Sequence, residues 1–77
     1  MNKVLFFAHL RDAVGEDFLR IDATGKTVAA LKEELAGLYD LPNMNTVMTA
    51  VNEEFAQDED VIADGDEIAF IPPVSGG

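Results

Sequence analysis

Lys3-Val4-Leu5-Phe6-Phe7-Ala8 is the stretch whose reading decides the fold. It is rich in β-branched and aromatic residues, so it predicts a strand. Side chains alternate along a strand, so Val4 and Phe6 share one face and Leu5 and Phe7 the other. Both faces are therefore apolar. A strand of that kind belongs inside a sheet with both sides covered, one of them by a partner. Near the other end, Glu67-Ile68-Ala69-Phe70-Ile71 repeats the pattern, with Ile68 and Phe70 set against Ala69 and Ile71.

Working outward, His9 to Val14 reads as a short helical turn ended by Gly15. Asp17-Phe18-Leu19-Arg20-Ile21 reads as a second strand, close enough to pair with the first. Thr27 is a good N-cap. Behind it Val28, Leu31, Leu35 and Leu38 recur at helical spacing, with Lys32, Glu33 and Glu34 assigned to the opposite, solvated side. Gly37 weakens the last turn, and Leu41-Pro42-Asn43 is expected to close it. Met48 to Asn52 reads as a third strand, followed by a turn at Asn52-Glu53-Glu54 that presents Phe55. Ala63-Asp64-Gly65-Asp66 is a tight turn into the last strand, with positive φ expected at the glycine.

Four strands around one main helix give an α+β class. Among the topologies this order allows, the expected one is a β-grasp, or ubiquitin-like, mixed sheet. Its first and last strands lie parallel at the centre. Val4, Phe6, Ile68 and Phe70 then face the helix. Phe7 and Ile71 lie on the opposite face, and Phe55 is the third candidate for an apolar patch there. Such a patch reads as a partner interface, the alternative being a minor second core under the segment 52–61.

The chain has 77 residues, enough for one domain near the low end for an unaided core. With 48% hydrophobic residues it is not a disordered acidic tail. It has no cysteine, which excludes disulfide staples, thiol chemistry and thiolate metal sites. Fifteen acidic residues against five basic ones give a net charge of −10, which argues against nucleic-acid binding and favours basic partners. No apolar stretch approaches membrane-spanning length and no secretion signal is evident, so the expected location is cytoplasmic.

After the last strand come Pro72, Pro73, Val74, Ser75, Gly76 and Gly77. The reading is a domain over 1–71 and an extended tail over 72–77. The prolines lack an N–H and cannot continue a sheet. Gly76 and Gly77 carry no Cβ, so this end can thread a narrow channel. Such an end suits insertion into another protein's active site, with the Gly77 carboxyl as the reacting group. The plainer alternative is a frayed end.

Other candidates are weaker. His9 has no in-line partner for a metal site. The acidic run from Asp58 to Glu67 has Val61, Ile62 and Ala63 where a calcium loop needs oxygens. No metal site is expected. Glu33 and Glu34 diverge on the helix, and Ser75 is a small spacer. Arg11 reads equally as a partner contact near the base of the tail and as a surface ion pair.

Val4-Leu5-Phe6-Phe7-Ala8, Leu10-Arg11-Asp12, Val14-Gly15, Ala50-Val51-Asn52 and the run Asp64 to Phe70 into Pro72-Pro73-Val74-Ser75-Gly76-Gly77 together resemble the small subunit of molybdopterin synthase, a ubiquitin-like sulfur carrier. The double proline before Val-Ser-Gly-Gly is the most specific part; thiamin-pathway carriers usually end in Gly-Gly without it. Ile71 stands where relatives often have an aromatic.

The resemblance implies a protein that is not a catalyst on its own and binds no cofactor. An ATP-using, ubiquitin-activating-like adenylyltransferase would activate Gly77, and a sulfur donor would convert it to a thiocarboxylate. The large synthase subunit would then use that sulfur on a cyclic pyranopterin phosphate, within a heterotetramer. Phe7, Arg11, Phe55 and Ile71 are the expected interface. The alternatives are a thiamin-type carrier and a ubiquitin-like protein modifier.

Overall fold

A computed structural model describes residues 1–41 and 44–72. Five strands, two helices and a 3₁₀ turn follow one another: β1 (Asn2–Phe6), α1 (His9–Val14), β2 (Phe18–Ile21), α2 (Val28–Tyr39), the turn Met44–Thr46, β3 (Met48–Val51), β4 (Glu54–Ala56) and β5 (Glu67–Ile71). They form one mixed sheet in the order β2-β1-β5-β3-β4. β1 and β5 run parallel at its centre, with Val4 opposite Ile68 and Phe6 opposite Phe70. The other pairings are antiparallel. This is the β-grasp arrangement expected from the sequence.

The core lies between one sheet face and α2. Val4, Phe6, Ile68 and Phe70 are buried there against Val28, Leu31 and Leu35. The Phe6 and Phe70 rings meet at 6.2 Å between centroids, tilted by 36°. Leu10 of α1 and Ile62 close the ends of this layer. Thr27 caps α2 as expected: its hydroxyl accepts from the Ala30 amide at 3.1 Å, an interaction worth about 1 kcal/mol.

The helical stripe differs from expectation in two places. Leu38 is 70% exposed, while Lys32 is buried. At 100° per residue, Leu38 falls roughly 80° from the Val28 direction, whereas Lys32 falls roughly 40° and Tyr39 roughly 20° from it. Tyr39, not Leu38, packs against the core in the last turn. The buried Lys32 ammonium donates to the Val47 carbonyl at 3.0 Å and to the Asp58 carboxylate at 3.1 Å. It thus ties α2 to the segments on either side of β3 and β4. Asp40 ends the helix in the left-handed conformation, its amide returning to the Ala36 carbonyl. Pro42 and Asn43, expected to close it, lie outside the described residues.

The sequence reading had four strands; the fifth is β4. It is three residues long and follows a tight turn in which Asn52 and Glu53 both have positive φ, 52° and 70°. Hairpin turns of that kind usually advertise themselves with a glycine, and this one has none. Gly65 does take the positive φ expected of it, 87°. The turn around it is held by the Asp66 carboxylate, which accepts from the Ala63 amide and from the Asn52 side chain, each at 2.9 Å.

Candidate functional site: the open face of the sheet

Among the described residues, no layer covers the sheet face turned away from α2. Its side chains follow from the strand registers. In the middle row, Phe18, Leu5, Ala69, Ala50 and Phe55 stand side by side across all five strands. Above it Ile71 lies opposite Met48, and Phe7 continues the β1 register beside Ile71. Below it lie Arg20, Lys3 and Glu67. The centre of the face forms a shallow groove of about 300 Å³, bordered by Leu5, Phe7, Phe55 and Ile71, with Glu53 and Glu67 at its rim.

The aromatic residues protrude because small ones surround them. Ala50 and Ala69 occupy the middle of the row and leave the groove floor low. Phe7 is 44% exposed and Phe55 74%. Ile71 is half-buried and Pro72 is buried. The described residues run through Pro72. Pro73, Val74, Ser75, Gly76 and Gly77 lie outside the described residues. The chain thus leaves β5 at the upper edge of the open face, beside Phe7. That edge also carries an unusual backbone: Ala8 has φ 54° and ψ −132°, a region costly for any residue with a Cβ.

Phe7, Phe55 and Ile71 are brought together on this face. Arg11 is not part of the groove. It sits on α1, where its guanidinium pairs with Asp17 at 3.7 Å, both side chains exposed. His9 is the first residue of α1 and is exposed. The sequence reading did not single out Phe18, Lys3 and Arg20. The Lys3 ammonium lies 4.5 Å from the centre of the Phe18 ring and the Arg20 guanidinium 5.9 Å from it. Only the β1–β2 register puts them together, with Lys3 opposite Arg20 and Leu5 opposite Phe18.

Titration is perturbed away from the face. The Asp66 carboxyl is held below its ordinary range by the Ala63 amide and then by Asn52. Asp22 is lowered in the same sense by hydrogen bonds from Thr24. The Met1 ammonium is raised by its hydrogen bond to Asp64. These groups fasten turns at the lower edge of the sheet. Among the described residues no cluster of His, Asp or Glu could hold a metal ion, and no helix is long and apolar enough to cross a membrane.

The family model described as the ThiS family matches residues 4–77. The chain belongs to the ThiS family. Within it, this ThiS-family chain is 40% identical, with 100% of both chains covered, to the molybdopterin synthase sulfur carrier subunit of Escherichia coli (strain K12). The resemblance seen in the sequence is therefore borne out along the whole chain. Two solved structures carry the same fold at 26% identity. SAMP1 from Haloferax volcanii superposes with a TM-score of 0.77, covering 99% of this chain and 98% of that one. A protein–protein complex of subunits 1 and 2 of the molybdopterin-converting factor from Helicobacter pylori 26695 contains a chain matching with a TM-score of 0.64, over 99% of this chain and 97% of that one.

Proposed function

We propose that this chain is the sulfur-carrying subunit of a molybdopterin synthase, with Gly77 as the sulfur-bearing residue. The observation that carries the reading is the full-length identity to the Escherichia coli carrier, together with a family match that runs through Gly77. The open face supports it: a groove with protruding Phe7 and Phe55 is a surface for a second protein. In this reading the large subunit covers that face; the Helicobacter pylori structure is a complex of subunits 1 and 2 of the molybdopterin-converting factor.

The chemistry follows from what a carboxylate lacks. It is anionic and has no leaving group, so sulfur cannot displace its oxygen directly. In the activating partner the Gly77 carboxylate attacks the α-phosphorus of ATP and expels pyrophosphate. A sulfide-level nucleophile from the donor then attacks the acyl carbon and expels AMP, leaving a thiocarboxylate. Glycine leaves that carbon unhindered. In the large subunit, sulfur passes to the cyclic pyranopterin monophosphate and the carboxylate returns after hydrolysis. The carrier's own part is to dock, to present its end and to withdraw.

Co-expression with the activating enzyme and a sulfur donor tests this. The expected intact mass rises by the replacement of one oxygen by sulfur. A second reading, a ubiquitin-like protein modifier, draws on the likeness to SAMP1, a small archaeal modifier protein. It would leave the chain attached to other proteins. An unaltered mass with no attachment would refute both.

A further inference from the structure

The chain has five basic residues among fifteen acidic ones. Three are engaged with carboxylates: Arg11 with Asp17, Lys26 with Glu34 and Lys32 with Asp58. Among the described residues, Lys3 and Arg20 form no ion pair. Lys3 even has Glu67 as its neighbour across β1 and β5 and does not pair with it. Instead both cations rest on the Phe18 ring, on the open face. Two like charges at adjacent register positions repel, so an acidic chain has little reason to gather its unpaired cations there for folding alone. The groove beside this corner carries Glu67, next to Lys3 across β1 and β5, and Glu53 in the turn after β3. The lower row of the face is therefore polar in the electrical sense, cationic at Arg20 and Lys3 on β2 and β1 and anionic from Glu67 on β5 onward, with the apolar row above it.

We propose that Lys3 and Arg20, held together on Phe18, form a carboxylate-binding corner for an acidic side chain of the protein that covers the open face, so that this corner sets the direction in which the face docks. The inference rests on the proposed function, in which the large subunit is that protein. Apolar contacts are non-directional, and a groove with an aromatic at each end could be covered in either sense. A carboxylate aimed at the β2 end selects one of them. The selected sense brings the Phe7–Ile71 edge, where the chain leaves the sheet, to the same place each time. Charge arranged in this way acts mainly on encounter and register.

The test is a titration of the purified large subunit with the whole carrier chain, for the wild type, for the double variant K3E/R20E, and for K3R/R20K. Thermal melts of each are run alongside. Salt is varied from about 0.01 M to about 1 M, over which the screening length falls from about 30 Å to about 3 Å. The double reversal should weaken binding by about tenfold or more at low salt, chiefly through association rate, and the gap should close at high salt. K3R/R20K should bind like the wild type. A folded K3E/R20E chain with wild-type affinity and wild-type salt dependence would overturn the inference and leave the proposed function standing. Should K3E/R20E fail to fold, K3Q/R20Q is read by the same criteria. A wild-type chain that does not bind the large subunit at all would overturn the proposed function and this inference with it.

Discussion

Phe6 and Phe7 are adjacent, chemically identical, and point to opposite faces, so truncating each in turn separates folding from docking. Phe6 is 2% exposed and stacked near Phe70. Phe6→Ala should cost about 3–5 kcal/mol of stability. For a domain of this size that is a fall in melting temperature of about 12 °C at least, enough to unfold a chain of marginal stability. Phe7 is 44% exposed in the free chain. An aromatic side chain presents about 200 Å², so docking has roughly 90 Å² of this ring left to cover. At about 25 cal/mol per Å² that is about 2 kcal/mol, or roughly 30-fold in affinity. Phe7→Ala should therefore lower the melting temperature by less than half as much as Phe6→Ala, while weakening capture of the large subunit roughly 30-fold. The assay is one thermal melt and one binding titration per variant, with affinities corrected for the folded fraction. Equal destabilisation by the two variants would refute the face assignment. Unchanged affinity of a folded Phe7→Ala chain would refute the docking role of the open face.

Deleting Gly77 should leave the melt unchanged and abolish single-turnover sulfur transfer, because one extended residue is roughly 3.3 Å and a misplacement of about 1 Å already costs on the order of 10²-fold; wild-type turnover would show that the sulfur sits elsewhere. The Thr49 hydroxyl is buried and finds no hydrogen-bond partner among the described residues. Thr49→Val should therefore raise stability by about 1 kcal/mol in urea unfolding, and a loss would mean that the hydroxyl is satisfied. The Asp66 carboxyl is lowered from its ordinary 3.8 by the Ala63 amide and Asn52. The stability it contributes is complete above 3.8 and is lost as pH falls through the lower folded value. Asp66→Asn should flatten that acid limb of the pH–stability profile, and an unchanged limb would assign it to other carboxylates.

The central strands were legible because their runs are β-branched and aromatic and period 2 groups Val4 with Phe6 and Ile68 with Phe70; with both faces apolar, the burial of that group against α2 is what the structure adds. The same alternation placed Phe7 and Ile71 on the open face. α2 was harder. Lys32 counts as polar by type, yet its stem is long enough to lie in the core while its ammonium reaches the Val47 carbonyl and Asp58. Leu38 was counted with the apolar stripe although it lies too far round the helix. β4 escaped because neither its length nor its turn carries a local signal; it exists because Ala50 and Val51 offer it an edge to pair with. The cationic corner was invisible for another reason. Lys3 and Arg20 are far apart in sequence, and only the register of β1 on β2 makes them neighbours. The Gly-Gly end was conspicuous in composition, but its chemistry depends on partners that composition does not describe.

The place of β5 in the sheet has a consequence for shortened chains. It is the last of the five described strands in chain order, yet it bonds to both β1 and β3. Without β5 the sheet divides into two antiparallel pairs, β1–β2 and β3–β4, each with an unpaired inner edge. Only β5 joins them, and only then do Leu5, Ala69 and Ala50 align into a continuous groove floor. A chain truncated before β5 is therefore expected to have no complete open face to offer a partner. Completion of the open face thus depends on the strand that leads directly into residues 72–77.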